Sequence, residues 1–152
     1  MRRIDREIKT FEEIVEVVER CDTVRLGMAG EIYPYVVPLS FGYEVVNEKL
    51  MIYVHGAKEG LKHELLAKCN RVCIEADICH GFVETERGIT TLYESVIGFG
   101  IAQKVEGKEA RKGLELILAH SGFPNEPLSD KALSITGVYK IMLDKLSGKR
   151  NR

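Results

Sequence analysis

The sequence predicts a mainly β protein, an antiparallel barrel with helices at its periphery. Three observations carry that prediction. Short apolar runs alternate with polar residues at the two-residue period of half-buried strands, turn signals separate the runs at hairpin spacing, and helical periodicity is confined to the start, the middle and a stretch near the end. Strands that follow one another through tight turns are antiparallel, so a doubly wound α/β fold fits less well.

Thr10-Phe-Glu-Glu13 opens the first helix (10–21) with a capping box, and Phe11, Ile14, Val15, Val18 and Cys21 share one face. Strands are expected from Thr23 to Met28, from Ile32 through Pro38 to Val46, and from Leu50 to His55, with Asn47-Glu-Lys49 as a hairpin turn. A glycine-flanked loop, Gly56 to Gly60, leads into a short helix carrying Leu61, Leu65, Leu66 and Cys69. Arg71 to Cys79 alternates as a half-buried strand, and residues 80–91 are polar and weakly patterned. Leu92 to Val105 is a long strand in which Gly98 and Gly100 suggest a bulge. A helix over Lys108–His120, a Pro124–Pro127 loop, a strand over Ser134–Leu143 and a basic tail (145–152) complete a single domain, 1–152.

Composition narrows the function. The 152 residues are 45% hydrophobic with a net charge of -1, which excludes disorder. Twenty-two basic residues against 23 acidic ones argue against a binder that neutralises nucleic-acid phosphates. No apolar run reaches the roughly 18 residues of a membrane span, and no apolar signal segment follows Met1-Arg-Arg. A cytoplasmic protein is expected, with Cys21, Cys69, Cys73 and Cys79 as reduced thiols; their spacing does not suit a metal site. No GxSxG, GxxxxGK[ST] or HExxH signature is present, and Gly98-Phe-Gly100 lies inside a strand pattern.

Two segments carry the chemistry. In Tyr53-Val-His-Gly-Ala-Lys-Glu-Gly-Leu-Lys62, His55 stands at a strand end and Lys62 in the first turn of a helix. A lysine there opposes the helix dipole unless an anion is bound, so the segment fits a phosphate corner. It fits solvated surface lysines beside Glu59 and Glu64 as well. In Tyr33-Pro-Tyr-Val-Val-Pro-Leu-Ser-Phe-Gly-Tyr43, Pro34 and Pro38 mark an edge or bulged strand, whose spare amides beside flat apolar walls suit a planar heteroaromatic ring.

Taken in order, Arg2–Glu7, Pro34–Glu44, His55–Lys62, Val72–Asp77 and Tyr93–Gly100 resemble the flavin-binding split barrels. That superfamily includes pyridoxamine 5'-phosphate oxidase, and the wording is most similar to its 5-nitroimidazole-resistance (Nim-like) branch. The resemblance spans residues 2 to 149 and implies a homodimer of six-stranded antiparallel split barrels with FMN at the subunit interface. By that resemblance Val37, Pro38, Leu39 and Ser40 line the isoalloxazine, and Val54, His55, Gly56 and Ala57 follow the ribityl chain. Lys62, with Gly60 and the helix start, holds the phosphate, while Tyr93 and Ser95 reach across from the partner. Leu61 and Leu92 depart from the family, which often has a basic residue at the first and a tryptophan near the second.

The implied activity is an FMN-dependent oxidoreductase that passes electrons from NAD(P)H to a small acceptor such as a nitroaromatic. His55 is then a candidate catalytic proton donor, or a hydrogen-bond donor to the phosphate or ribityl chain. A non-catalytic flavin carrier or redox sensor is a second reading, and the same barrel holding haem or a deazaflavin a third. Pyridoxamine-phosphate oxidation is disfavoured, because no late Arg/His cluster suits a second phosphate.

Overall fold

A computed structural model describes residues 2–152. After a 3-10 turn (Ile4–Arg6) the chain forms β1 (Glu7–Ile8), α1 (Phe11–Glu19), β2 (Val24–Met28), β3 (Tyr35–Leu39), β4 (Phe41–Val46) and β5 (Lys49–Ala57). Then follow α2 (Leu61–Lys68), β6 (Arg71–Thr85), β7 (Gly88–Val105), α3 (Gly107–His120), α4 (Asp130–Ile135) and β8 (Thr136–Asn151). The strands pair throughout as antiparallel neighbours in the order β3-β2-β6-β7-β8-β5-β4, with β1 added beside β8. No helix among the described residues is long and apolar enough to cross a membrane.

The connectivity shows how the sheet curls. β3 and β4 lie at opposite ends of the hydrogen-bonded path, yet only Ser40 separates them in sequence. One intervening residue spans no more than about 7 Å, so the two ends of the sheet must meet. The sheet is therefore rolled into a barrel with an unpaired seam between β3 and β4.

Strand alternation fills the barrel. Leu26, Phe41, Ile52, Val54, Val96 and Ile141 are buried inside it, each contributing about 1.5–3 kcal/mol of apolar burial. α1 closes one part of this core with Ile14, Val17 and Val18; Thr10 accepts from the Glu13 amide at its start, as the capping pattern predicts. The opposite face of β5 and β8 carries Met51, Tyr53 and Val138, which α3 covers with Ala110, Leu114 and Ile117. Asn47 and Glu48 both take positive φ, 50° and 58°, the signature of a two-residue hairpin turn between β4 and β5.

Several expectations need correction. The sheet has eight strands rather than six, because the two-residue β1 is added beside the C-terminal part of β8 and the Pro38-containing run divides at Ser40. Residues 80–91 are a hairpin that extends β6 and β7, held by cross-strand register from Gly81↔Leu92 to Thr85↔Gly88 rather than by a buried face. The basic tail is strand: Lys145, Lys149 and Arg150 belong to β8, which begins only at Thr136 after α4. The first helix ends at Glu19, two residues early. The glycine-marked bulge in β7 is present between Phe99 and Gly100, where a Cβ on Gly100 would collide with the Met142 carbonyl.

Candidate functional site

β5 positions the first half of the site. Its inward row, Leu50, Ile52 and Val54, ends in the barrel core, and His55 continues the opposite row. His55 is half-buried, and its Nδ1 is shielded from water with no hydrogen-bond partner. An orphaned polar atom of that kind costs about 1–3 kcal/mol unless something supplies a partner. Burial, and then the neighbouring Lys62 charge, push the His55 pKa below its usual value near 6.5, so the ring is neutral at pH 7.

Lys62 meets His55 from α2. Its Nζ donates to the His55 carbonyl oxygen at 2.9 Å, and burial lowers its pKa with no acidic group acting to raise it. The approach needs Gly56, since a Cβ there would stand 2.5 Å from Nζ. Gly60, at φ 119°, is the N-cap of α2 and offers no side-chain cap. The first-turn amides therefore face outward without side-chain partners, beside an ammonium that the helix dipole disfavours. Each of these features is relieved by one bound anion.

His63 fixes the corner. Its Nε2 donates to the Ala57 carbonyl, which can only accept, and its Nδ1 hydrogen-bonds the Tyr139 hydroxyl at 2.5 Å. The ring thus ties the start of α2 to the ends of β5 and β8. Only the spacing of His63 beside Lys62 hinted at it; the partners come from elements far apart in sequence.

The seam brings the two sequence segments together. A cleft of about 250 Å³ is lined by Tyr35 and Val37 of β3 and by Ala57, Glu59, Gly60, Leu61, Lys62 and His63 of the β5–α2 corner. β3 is the terminal strand of the path and pairs only with β2, which is the edge position Pro38 requires. Pro38 and Ser40 are exposed and Leu39 packs against the core. Val54 points into the barrel, so only its backbone is available to a ligand. Tyr93 and Ser95 are not among the residues that line the cleft; β6 and β2 stand between β7 and β3, and β8 between β7 and β5.

Two further features escaped sequence reasoning. The outer face near β3 and β7 is a groove of about 850 Å³ with Val36, Phe99 and Ile101 among its walls, and Val36 and Phe99 are more than half exposed. Glu94 is fully buried and receives Arg20 at 2.7 and 3.1 Å, His80 at 3.0 Å and Arg152. The Arg20 hydrogen bonds, joined by those of His80 and Arg152, outweigh burial and hold its pKa at about 2. Its signal in the sequence is a carboxylate in the inward row of β7, Glu94-Val96-Gly98.

A barrel rolled from antiparallel strands, open along one seam and carrying a cationic corner there, defines a split-barrel protein. The chain belongs to the pyridoxamine 5'-phosphate oxidase family, whose model matches residues 10–150. It is similar to a candidate 5-nitroimidazole antibiotic resistance protein from Bacteroides thetaiotaomicron, at 30% identity over 94% of this chain and 85% of that one, with a TM-score of 0.84. A flavocytochrome from Azotobacter vinelandii shares the fold at 16% identity, 100% and 72% coverage and a TM-score of 0.83. So does an FAD-binding protein from Mesorhizobium loti, at 20% identity, 97% and 98% coverage and a TM-score of 0.67. No curated protein sequence matches the chain.

Proposed function

We propose that the seam cleft binds a flavin, with FMN the smallest form that uses all of it, and that the protein is an oxidoreductase passing electrons from NAD(P)H to a small acceptor such as a nitroaromatic. The observation that carries this reading is the pairing of an uncompensated, half-buried Lys62 ammonium with the orphaned Nδ1 of His55 and the uncapped start of α2. These groups fit the phosphate and polyol end of such a molecule. The flavin- and FAD-binding character of similar proteins supports the same choice.

A bound flavin supplies hydride and single-electron transfer; the protein supplies binding and orientation. Lys62 and the first-turn amides of α2 hold the phosphate, and Gly56 leaves room for the ammonium. Val37 and Pro38 offer an apolar wall on the edge strand, whose free amides stabilise negative charge on a ring lying against it. His55, neutral at pH 7, would donate a hydrogen bond from its one protonated ring nitrogen to a ribityl or phosphate oxygen, and its other nitrogen would accept.

The functional unit is a homodimer under this proposal. Support comes from the exposed apolar side chains Val36, Ile97, Phe99 and Ile101, grouped on one face of the sheet as at protein interfaces, and from the absence of Tyr93 and Ser95 from the lining of their own cleft. A Phe99→Glu variant is expected to sediment as a monomer and to lose flavin affinity; a monomeric wild type would end the dimer proposal.

The primary experiment is the absorption spectrum of the purified protein with an equilibrium FMN titration. A flavin spectrum with micromolar or tighter uptake is expected. A Soret band would replace flavin by haem, and no uptake would overturn the reading. Steady-state NADH and NADPH oxidation then separates an enzyme from a photoreducible but donor-inert carrier.

A further inference from the structure

Gly56 and Gly137 are direct cross-strand partners at the ends of β5 and β8. Opposed residues of an antiparallel pair project to the same face of the sheet, and here neither has a side chain. α2 uses the gap. A Cβ on Gly56 would stand 2.5 Å from the Lys62 Nζ, and one on Gly137 would stand 2.7 Å from the His63 Cε1. Two consecutive side chains of the first helical turn are therefore seated on one pair of glycines.

The two side chains cover the same stretch of backbone. β4 pairs with β5 no further than Phe41↔Val54. Beyond that point the His55 carbonyl oxygen accepts from Lys62 at 2.9 Å, and the Ala57 carbonyl oxygen accepts from His63. After that contact the Lys62 ammonium has two protons left for a ligand. His63 has nothing left: both ring nitrogens are engaged, the second by the Tyr139 hydroxyl at 2.5 Å. Tyr139 is buried in the barrel core, so the ring fastens α2 to the most rigid part of the molecule. Ala57 also lines the cleft, where a bare carbonyl oxygen would turn partial negative charge toward an arriving anion. The His63 contact takes up that oxygen.

We infer that His63, seated on Gly137 and held by Tyr139, is a positioning residue of the corner, and that this latch makes the cleft select a phosphorylated flavin over the unphosphorylated one. The inference rests on the flavin reading above and deepens it. Lys62 and the first-turn amides of α2 meet the anion, while His63 touches no ligand atom and holds them where the anion arrives.

Equilibrium titrations of the full chain with FMN and with riboflavin, which differ only in the phosphate, test it. The wild type is expected to bind FMN at least about tenfold more tightly than riboflavin, the value of one charge-assisted hydrogen bond. His63→Ala should weaken FMN binding about tenfold and leave riboflavin binding unchanged, and His63→Gln, whose amide can donate to the same carbonyl, should recover part of the loss. Tyr139→Phe keeps the buried ring and provides the same reading should His63→Ala not fold; about a threefold loss confined to FMN is expected. Equal losses for the two ligands would mean that the barrel has merely loosened, and unchanged FMN affinity in these variants that the ring only fills space. Either result overturns the positioning role while the flavin reading stands, as does a wild type that binds both ligands equally. If the wild type binds neither, the latch fails together with the reading on which it rests.

Discussion

Glu94 and Lys62 are both charged groups drawn out of water, and the barrel surrounds them in opposite ways. Around Glu94 the accounts are closed: two arginines and a histidine, from α1, the β6 arm and the C-terminus, saturate both carboxylate oxygens. Around Lys62 they are open, with one carbonyl contact, no bonded carboxylate and an orphaned imidazole nitrogen on β5, the strand before it. A saturated buried charge holds structure together, because removing one partner strands the others. An unsaturated one marks a place where a ligand completes the network. The contrast separates a structural clasp from a binding corner more cleanly than residue type does.

The largest effect that tests this contrast belongs to the clasp. Glu94→Ala should cost about 3 kcal/mol of stability by chemical denaturation, leaving Arg20 and Arg152 beside an empty site, and should leave the flavin affinity of the folded fraction unchanged. The pH dependence has a definite sign. The folded-state pKa of Glu94 is depressed from 4.5 to about 2, so its contribution is complete above pH 4.5 and is lost as the pH falls toward 2. The denaturation midpoint of the wild type should fall across that window, and that of Glu94→Gln should fall less.

Next in size is the corner. Lys62→Ala should weaken flavin binding about 10- to 100-fold, the value of one charge-assisted hydrogen bond, while thermal stability without ligand is unchanged or rises. An affinity equal to the wild type would remove Lys62 from the phosphate site. Gly56→Ala displaces the same ammonium and should weaken binding about tenfold in titrations, with stability altered by less than about 1 kcal/mol. The smallest expected effect is that of His55→Ala: about a fivefold loss of flavin affinity with no loss of ligand-free stability, since the ring nitrogen it removes is unpaired.

The legible parts of the molecule are those that local chemistry decides. Thr10 caps α1, the Asn47-Glu48 turn joins β4 to β5, Pro38 lies on an edge strand, and the glycines of β7 mark a bulge. In each case one residue's backbone preference or missing donor settles the outcome. The candidate site was legible to the same extent: His55, Gly56, Gly60 and Lys62 are contiguous, so a strand end followed by a helix start brings them together. Residues 80–91 were not legible, because a solvated hairpin arm has no buried face to impose a period. His63 and Glu94 were illegible for another reason. Their partners, Tyr139 and Arg20 with Arg152, stand 58 to 76 positions away in the chain.

By itself the sequence determined the antiparallel strand alternation, the helix boundaries near their caps and the grouping of glycines and lysines around His55, since period, capping and backbone freedom act over a few residues. Tertiary structure alone decided that β3 and β4 meet at an open seam, that Val37 faces Lys62 across it, and which charges are paired. Those outcomes depend on how a twisted sheet closes on itself, and closure is a property of the whole chain.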